Sequence, residues 1–191
     1  MELRVGYIKN QVMALGPGTR FVIWTQGCSR RCKGCASPEF QPFEGGYLIE
    51  TGQLAEMICS TNSIDGITIS GGEPFLQAAA LYELTNIVKK VRPEVNLIVF
   101  TGNQLEHIVD EDGVKFLSNI DLLIDGEYVR ELNNNQGLRG STNQRFHFLT
   151  QRLLPYRDEL KKGNRNTEVH WIDSSKQKIV KIGVPCSNRN H

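Results

Sequence analysis

Residues 66–100, GITISGGEPFLQAAALYELTNIVKKVRPEVNLIVF, decide the fold class of this 191-residue chain. They predict a strand at Gly66–Ser70, a helix from Phe75 to Val91 and a second strand at Val95–Phe100. Within the helix, apolar residues recur at helical spacing (Leu81, Leu84, Ile87, Val88 and Val91), and Arg92-Pro93 ends it. A strand–helix–strand unit predicts two parallel strands joined by a right-handed crossover.

Strands and helices continue to alternate on both sides of this unit. The pattern predicts strands at Phe21–Trp24 and Leu122–Ile124, a helix at Thr51–Ser60 and a weaker helix from Gln104 to Ser118. The strands are too few to close an eight-stranded barrel. We therefore expect an α/β fold, either a partial (open) parallel βα barrel or a small open sheet.

The later part of the chain is expected to add a loop and an extension. Glu131–Gln144 is rich in Asn, Gly, Ser and Gln and predicts a long polar loop, which is either functional or mobile. Thr167–Asp173 and Gln177–Ile182 predict a C-terminal β-hairpin around Ser174-Ser175-Lys176, covering one edge of the core. We expect residues 1–150 to form the core and residues 151–191 to extend the same domain.

Three segments directly follow predicted strands. They are the cysteine loop after Trp24, Gly71-Gly72-Glu73, and Thr101-Gly102. Ligands of such sheets bind at the carboxyl ends of the strands. The three segments should therefore converge on one rim of the fold.

Composition excludes several classes of protein. The net charge is +1, from 22 basic and 21 acidic residues, which gives no electrostatic basis for binding nucleic acid or an anionic membrane. The first residues lack the pattern of a signal peptide, and no apolar run has the length of a membrane span. We expect a soluble, cytoplasmic protein, in which five cysteines do not form a disulfide framework.

Three of the cysteines have the spacing Cys28-x3-Cys32-x2-Cys35, with no fourth cysteine nearby. Structural zinc sites and electron-transfer [4Fe–4S] clusters normally use four protein ligands. Three thiolates on a [4Fe–4S] cluster leave one iron open to bind a substrate. The alternatives are three structural cysteines, or a zinc site completed by a distant histidine (His107, His147 or His170). Cys59 is expected in the core, and Cys186 as a dispensable thiol.

The order of motifs resembles the radical S-adenosylmethionine superfamily, and within it the activating proteins of anaerobic ribonucleotide reductase. The blocks that carry the resemblance are Gly16-Pro17-Gly18-Thr19-Arg20, Gln26-Gly27-Cys28, Ile69-Ser70-Gly71-Gly72-Glu73-Pro74, Asp121-Leu122-Leu123-Ile124-Asp125-Gly126 and Arg139-Gly140-Ser141-Thr142-Asn143-Gln144-Arg145. Gly34 before the last cysteine matches this branch. Ala36-Ser37-Pro38-Glu39 and the tail after Thr150 depart from it.

The resemblance implies a set of cofactor contacts. The cluster is held by Cys28, Cys32 and Cys35, and its open iron binds S-adenosylmethionine. The amino group of that ligand is received by Gly71, Gly72 and Glu73, and its adenosyl group by the backbone of Gly34, Cys35 and Ala36. Taken alone, Gly71-Gly72-Glu73-Pro74 equally predicts a tight strand-to-helix turn. Thr101-Gly102 and Asp125-Gly126 are candidates for the ribose side or are ordinary turns.

The resemblance also implies the reaction. An external electron donor of flavodoxin or ferredoxin type reduces the cluster. S-adenosylmethionine is then cleaved to methionine and a 5′-deoxyadenosyl radical, which takes a hydrogen atom from a glycine of a large partner enzyme. The alternatives are a stand-alone radical enzyme that modifies a peptide or small molecule, and a non-catalytic cluster- or zinc-binding interaction module.

Three further features remain. Two of them have two interpretations each, and the third has one. Arg20 is either an anion contact or a salt-bridged scaffold residue. Asn143-Gln144-Arg145 either lines the rim or fixes the long loop through hydrogen bonds. Trp24, inside a predicted strand, is most simply a core residue.

Overall fold

The computed structural model describes residues 1–173 and 178–186. Within these ranges the chain forms nine β-strands and four α-helices. The strands are β1 (Glu2–Val12), β2 (Arg20–Thr25), β3 (Tyr47–Glu50), β4 (Gly66–Gly71), β5 (Asn96–Phe100), β6 (Leu122–Asp125), β7 (Arg145–Phe148), β8 (Glu168–Asp173) and β9 (Lys178–Ile182). The helices are α1 (Thr51–Ser60), α2 (Ala78–Val91), α3 (Glu111–Leu117) and α4 (Arg157–Lys162).

Seven strands form one mixed sheet in the order β3-β1-β2-β4-β5-β6-β7. The four central strands, β2, β4, β5 and β6, are parallel, whereas β1, β3 and β7 pair antiparallel at the two sides. Thr25 pairs with Gly71, and Phe100 pairs with Ile124. This register places the carboxyl ends of the four parallel strands at one edge of the sheet.

Helices α1, α2 and α3 cover one face of the sheet. They pack side by side, α1 on α2 and α2 on α3. Buried residues such as Leu54, Leu81 and Phe116 join alternate strand residues, including Ile69 and Val99, in one hydrophobic cluster. Because side chains alternate along a strand, the intervening residues point to the opposite face.

The opposite face is covered by shorter segments. Trp24 and Ile98 on this face pack with Leu138 of the polar loop, Leu160 of α4 and Ile182 of β9. β8 and β9 form a separate antiparallel pair, so the predicted hairpin strands are present. Residues 174–177, which include the predicted turn, lie outside the described residues.

The structure changes the bounds of two predicted helices. A 3₁₀ turn occupies Pro74–Gln77, and α2 begins only at Ala78. The weaker helix expected from Gln104 to Ser118 is wrong in extent: a short 3₁₀ turn is followed by the seven-residue α3. The Asp110 side chain accepts a hydrogen bond from the Gly113 amide, so it caps α3 and sets its beginning.

One buried polar residue, Arg20, serves the scaffold. Arg20 is fully buried at the start of β2 and donates hydrogen bonds to Thr68 Oγ1 (3.0 Å), Asn96 Oδ1 (2.6 Å) and the Ile67 carbonyl (2.7 Å). Its guanidinium is thus a scaffold group, and the anion-contact interpretation is wrong.

Within the described residues, no helix has both the length and the apolar character needed to cross a membrane.

The polar loop 131–144 is held in place by its own side chains. Gln144 Oε1 accepts hydrogen bonds from the amides of Gly140 (2.8 Å) and Ser141 (3.1 Å), and Gln144 Nε2 donates to the Gly126 carbonyl (2.8 Å). Asn143 Nδ2 donates to the Glu127 carbonyl. Gln144 and Asn143 therefore fix the loop against the end of β6.

Candidate active site

An open cavity of about 1160 Å³, including its solvent-filled mouth, lies at the carboxyl ends of the parallel strands. Its lining includes Cys28, Cys32 and Cys35, the Gly71-Gly72-Glu73 turn, Thr101-Gly102 and Gly126. The expected convergence of the cysteine loop and the two later strand ends on one rim is confirmed.

The cysteine loop is clamped at both ends. The amides of Gly27 and Cys28 donate to the carbonyls of Phe40 and Gln41, each at 2.9 Å. The Gln26 side chain adds a hydrogen bond from Nε2 to the Pro42 carbonyl at 2.7 Å. These bonds close residues 28–41 into a loop whose base is fixed on the end of β2, so the thiols have a rigid support.

The Gly71-Gly72 turn packs directly against that base. The Gly72 amide donates to the Thr25 carbonyl and the Glu73 amide to the Gly27 carbonyl, both at 2.8 Å. A Cβ on Gly72 would overlap the Gly27 carbonyl and approach the Phe40 carbonyl oxygen to 2.8 Å. The absence of a side chain at Gly72 is therefore what allows the turn and the cysteine loop to lie in contact.

Glu73 connects the ends of β4 and β5 through its buried carboxylate, which is 3% exposed. Oε1 accepts from Thr101 Oγ1 (2.6 Å) and the Phe75 amide (3.2 Å), and Oε2 accepts from the Gly102 amide (2.9 Å). Burial raises the pKa of Glu73, although these hydrogen bonds oppose the shift. The carboxylate therefore already has protein partners, and Thr101 contacts Glu73 as part of this turn.

The thiols differ in their surroundings. Cys28 is buried, and Cys32 and Cys35 are half-buried. Burial raises the pKa of the Cys28 thiol, and burial together with the Glu127 carboxylate raises that of Cys32 to about 11. A thiol in such surroundings favours its neutral form until a metal or a cation stabilises the thiolate.

Two arginines of the cysteine loop supply positive charge. Arg31 donates to the Cys28 carbonyl. Arg30 reaches across the cavity, where Nη2 donates to Asn103 Oδ1 (2.7 Å) and Nε lies 3.9 Å from Glu73 Oε2. The loop therefore carries cations that offset the charge of bound thiolates.

The donor set of the cavity includes three cysteine thiols. Within residues 1–173 and 178–186, no three Cys, His, Asp or Glu side chains stand close enough together to hold one metal ion. A [4Fe–4S] cluster binds each thiolate at a different iron, so its ligands surround a larger volume. The three thiols that line one open cavity fit that requirement.

The histidines considered for a zinc site lie elsewhere. His147 Nε2 is 3.0 Å from Asp125 Oδ2, and His170 Nε2 is 2.9 Å from Glu168 Oε2. Neither of these, nor His107, is among the described residues that line the cavity. The geometry gives no support to a zinc site shared with the cysteines.

Some of the remaining predicted residues line the cavity and others lie outside it. Gly34 has φ +71°, and a Cβ there would meet the Arg130 side chain, while Cys35 and Ala36 line the cavity. The Asp125 carboxylate is held by the Leu105 amide (2.7 Å) and by Arg145, so only the adjacent Gly126 reaches the cavity. Trp24 is buried, as predicted, and also lines the cavity; Cys59 is half-buried against the helix-side cluster.

Part of the cavity wall was not predicted from the sequence. Residues 180–185, which we call the strap, line the cavity together with Tyr7, Tyr128 and Gln144. The apolar alternation of Val180, Ile182 and Val184 indicated a strand with one buried face, but nothing in the pattern indicated which surface it would cover. The sequence predicts that the hairpin covers one edge of the core, and in the structure its second strand also lines the cavity.

Comparison with known proteins agrees with this geometry. The family model described as a 4Fe-4S single cluster domain matches residues 14–147, which contain all three cysteines and the Gly71-Gly72-Glu73 turn. The fold and site thus define a 4Fe-4S single cluster domain. A solved structure, QueE from Escherichia coli, superposes with a TM-score of 0.46 at 16% identity over 54% of each chain, which is too partial to bear on function.

Curated relatives identify the branch. The anaerobic ribonucleoside-triphosphate reductase-activating protein of Enterobacteria phage T4 is 33% identical over 135 residues, covering 68% of this chain and 84% of that protein. The proteins of the same name from Haemophilus influenzae and Vibrio cholerae are each 32% identical, covering 69% and 71% of this chain and 89% and 91% of their own lengths. This chain belongs to the family of anaerobic ribonucleoside-triphosphate reductase-activating proteins.

Proposed function

We propose that this chain is a radical S-adenosylmethionine enzyme that places a glycyl radical on a large partner, an anaerobic ribonucleotide reductase. The observation that carries the proposal is the shared cavity of Cys28, Cys32, Cys35 and the Gly71-Gly72-Glu73 turn. When bound, a reduced [4Fe–4S] cluster supplies the electron that splits S-adenosylmethionine into methionine and a 5′-deoxyadenosyl radical, which takes hydrogen from the partner's glycine.

In this proposal the protein provides position and shielding. Cys28, Cys32 and Cys35 would hold the cluster, and the clamped loop fixes the spacing of their thiols. Apolar residues of the cavity, among them Trp24 and Phe100, limit the access of water to the reacting groups. The proposed reaction needs no acid–base pair.

The contacts to S-adenosylmethionine are part of the proposal. Gly71 and Gly72 bring main chain close to the cavity and receive the amino group of the ligand. The backbone of Gly34, Cys35 and Ala36 receives the adenosyl group. Because the Glu73 carboxylate and the Thr101 hydroxyl bind one another, we assign both to positioning the Gly-Gly turn, and their contact with the ligand is indirect.

The architecture suits a partner's loop as the hydrogen donor. Helices α1 to α3 lie on one face of the sheet and the cavity lies on the other, which is consistent with a partial barrel whose open side admits a protein segment. We further propose that residues 1–150 form the catalytic core and residues 151–191 an extension of it. A flavodoxin- or ferredoxin-type protein as electron donor and a cytoplasmic location complete the proposal.

The proposal is tested by anaerobic reconstitution. Protein loaded with iron and sulfide, given dithionite and S-adenosylmethionine, should form 5′-deoxyadenosine. Addition of the candidate reductase should yield the electron-paramagnetic-resonance signal of a glycyl radical. Serine at position 28, 32 or 35 should abolish both products and the cluster absorbance, whereas Cys59→Ser, a half-buried thiol outside the cavity, should retain all three.

Each failure has a separate meaning. A fully loaded cluster that neither binds S-adenosylmethionine nor yields 5′-deoxyadenosine contradicts the enzyme assignment. Formation of 5′-deoxyadenosine without a glycyl radical on the reductase contradicts the choice of partner, and directs the search to a peptide or small-molecule substrate.

A further inference from the structure

Charge is unevenly distributed along this chain, although the net charge is only +1. Residues 151–191, the C-terminal extension, contain nine lysines and arginines and four aspartates and glutamates, a net charge of +5. Residues 51–119, which include α1, α2 and α3, contain four basic and nine acidic residues, a net charge of −5. The nearly neutral total therefore conceals two segments of opposite sign.

The fold places these two segments on opposite faces of the large sheet. Helices α1 to α3 cover one face. Leu160 of α4 and Ile182 of β9, both in the extension, are buried in the hydrophobic cluster on the other face. Arg165 Nη1 donates to the Pro185 carbonyl at 2.7 Å and fixes the end of the strap. The surface that the extension presents on the cavity side is called the basic face below.

The basic face has lysines that point to solvent. Lys162 is exposed in the last turn of α4. Lys181 of β9 is exposed and pairs across the strands with Val169 of β8, which is also exposed. Because residues that pair across two strands share one face, Lys181 lies on the solvent side of the β8–β9 pair. Both ammonium groups are therefore available to a partner outside the cavity.

The cysteine loop adds positive charge on the same side of the molecule. Residues 28–37 contain no acidic residue and three basic ones: Arg30, Arg31 and Lys33. Glu39 on the rim and Glu127 beside Cys32 offset part of this charge. Lys33 is exposed, and Cys32 and Cys35 are only half-buried. Since the strap lines the same cavity as these cysteines, a protein bound to the basic face is close to the thiols.

This distribution of charge suits a carrier that delivers electrons. Electron-transfer complexes bury little surface and are weak, so that they form and separate repeatedly. Complementary charge increases the rate of association more than the affinity. Opposite charge on two faces of one molecule also orients an approaching acidic protein before contact. The basic face, next to the loop that carries the thiols, meets these requirements.

We propose that the basic face, with Lys162 and Lys181 among its exposed cations, guides an acidic one-electron carrier protein to the cysteine loop. The inference rests on the proposed function and names the surface that its electron donor uses. In this step the reduced carrier loses one electron and the [4Fe–4S] cluster gains it, and no bond forms or breaks.

The test compares two double charge reversals in reconstituted protein. Lys162→Glu with Lys181→Glu alters the basic face, whereas Lys90→Glu with Lys115→Glu, at exposed positions of α2 and α3, is the matched control. Each protein is mixed by anaerobic stopped flow with an acidic flavodoxin whose flavin is fully reduced. At low ionic strength the second-order rate of flavin oxidation should fall about fivefold or more for the first pair and at most about twofold for the control. At about 1 M salt, which screens charges beyond about 3 Å, wild type and both variants should react at the same rate.

The outcomes separate this inference from the proposed function. A wild-type rate for Lys162→Glu with Lys181→Glu, or equal slowing in the control, would overturn the basic face as the docking surface. With photoreduced deazaflavin, a small uncharged reductant, the first pair should still form 5′-deoxyadenosine and the glycyl radical as wild type does. Loss of the radical alone under these conditions would assign the basic face to the reductase and overturn the choice of partner.

Failure of the proposed function has a different signature. A wild-type protein that accepts electrons from flavodoxin with the expected salt dependence, but forms no 5′-deoxyadenosine, contradicts the proposed function and leaves the docking surface intact. A protein that takes up no cluster overturns both.

Discussion

The substitution Gly72→Ala is expected to move the Gly71-Gly72 turn away from the base of the cysteine loop. The φ angle of Gly72 is not in the left-handed region, so the cost comes from the added Cβ alone. That carbon would overlap the Gly27 carbonyl and lie 2.8 Å from the Phe40 carbonyl oxygen, whereas ordinary contacts begin at 3.4 Å. Both obstacles are backbone, so the turn and the base of the cysteine loop must move apart.

The magnitude follows from what that movement breaks. Overpacking typically costs about 1–3 kcal/mol. Weakening the bonds from the Gly72 and Glu73 amides adds roughly 0.5–1.5 kcal/mol each. We therefore expect the free energy of unfolding of the metal-free protein to fall by about 2–6 kcal/mol, which lowers its Tm by roughly 4–24 °C. Iron and sulfide bound after reconstitution should fall as well, because the thiols lose their support.

The assay is urea unfolding followed by circular dichroism under anaerobic conditions, with iron determined separately. Gly52→Ala is the control: nothing lies within 4 Å of a Cβ at Gly52 in α1, and the change should stabilise the chain by about 0.5–1 kcal/mol. If Gly72→Ala unfolds at the wild-type midpoint and binds wild-type iron, the contact between the turn and the cysteine loop does not support the cluster site.

Three other substitutions test separate parts of the structure. Arg20→Met removes a buried guanidinium and leaves neutral buried acceptors without their donor, each at a cost of about 1–3 kcal/mol, so the free energy of unfolding in urea should fall by several kcal/mol with the iron content of the folded protein unchanged. Thr101→Val removes a donor to Glu73 and should weaken S-adenosylmethionine binding several-fold in equilibrium dialysis, without loss of cluster absorbance. Burial would raise the pKa of Asp125, but hydrogen bonds from Arg145 and other donors lower it, so its contribution to stability is present above pH 3.8 and is lost as the pH falls further. Arg145 also binds the Glu106 carboxylate and lowers its pKa to about 2. The difference in unfolding free energy between wild type and Arg145→Met should therefore be constant from pH 6 to about pH 5 and shrink between about pH 4.5 and pH 2, and a difference that stays constant down to about pH 2 would contradict this assignment.

The parallel centre of the fold was predictable because its strands are short apolar runs. They alternate with segments whose apolar residues recur at helical spacing. The helix Thr51–Ser60 and strands β4 and β5 follow from that pattern within one residue at each end. β1 was missed because its burial does not alternate regularly: residues 6–9 are all half-buried, and the strand has register shifts in its pairing with β2. β3 and β7 are only four residues long and acquire their structure from the strands beside them.

The site was predictable to the level of segments but less well at the level of side chains. Spacing and strand order placed the cysteines, the Gly-Gly turn and Thr101 on one rim, as the structure has them. Sequence could not reveal that the carboxylate of Glu73 is shared by Thr101 and Gly102, because that contact joins two strand ends 28 residues apart. The strap was missed for the same reason, since its position depends on Arg165 and on apolar contacts across the sheet.

The contacts between the segments explain why the glycines matter as much as the cysteines. The base of the cysteine loop touches the turn through a main-chain bond from the Glu73 amide to the Gly27 carbonyl, and the Gly27 amide closes that base by donating to the Phe40 carbonyl. A main-chain contact does not depend on which side chains surround it, but it tolerates no added Cβ at Gly72. Substitutions on the outer surface of the cysteine loop should therefore leave the spacing of the thiols unchanged, whereas one methyl group at Gly72 should alter it. On the proposed function, the approach of these two backbone turns would set the position of the cluster relative to its ligand, and the cysteines would supply the thiolates that hold it.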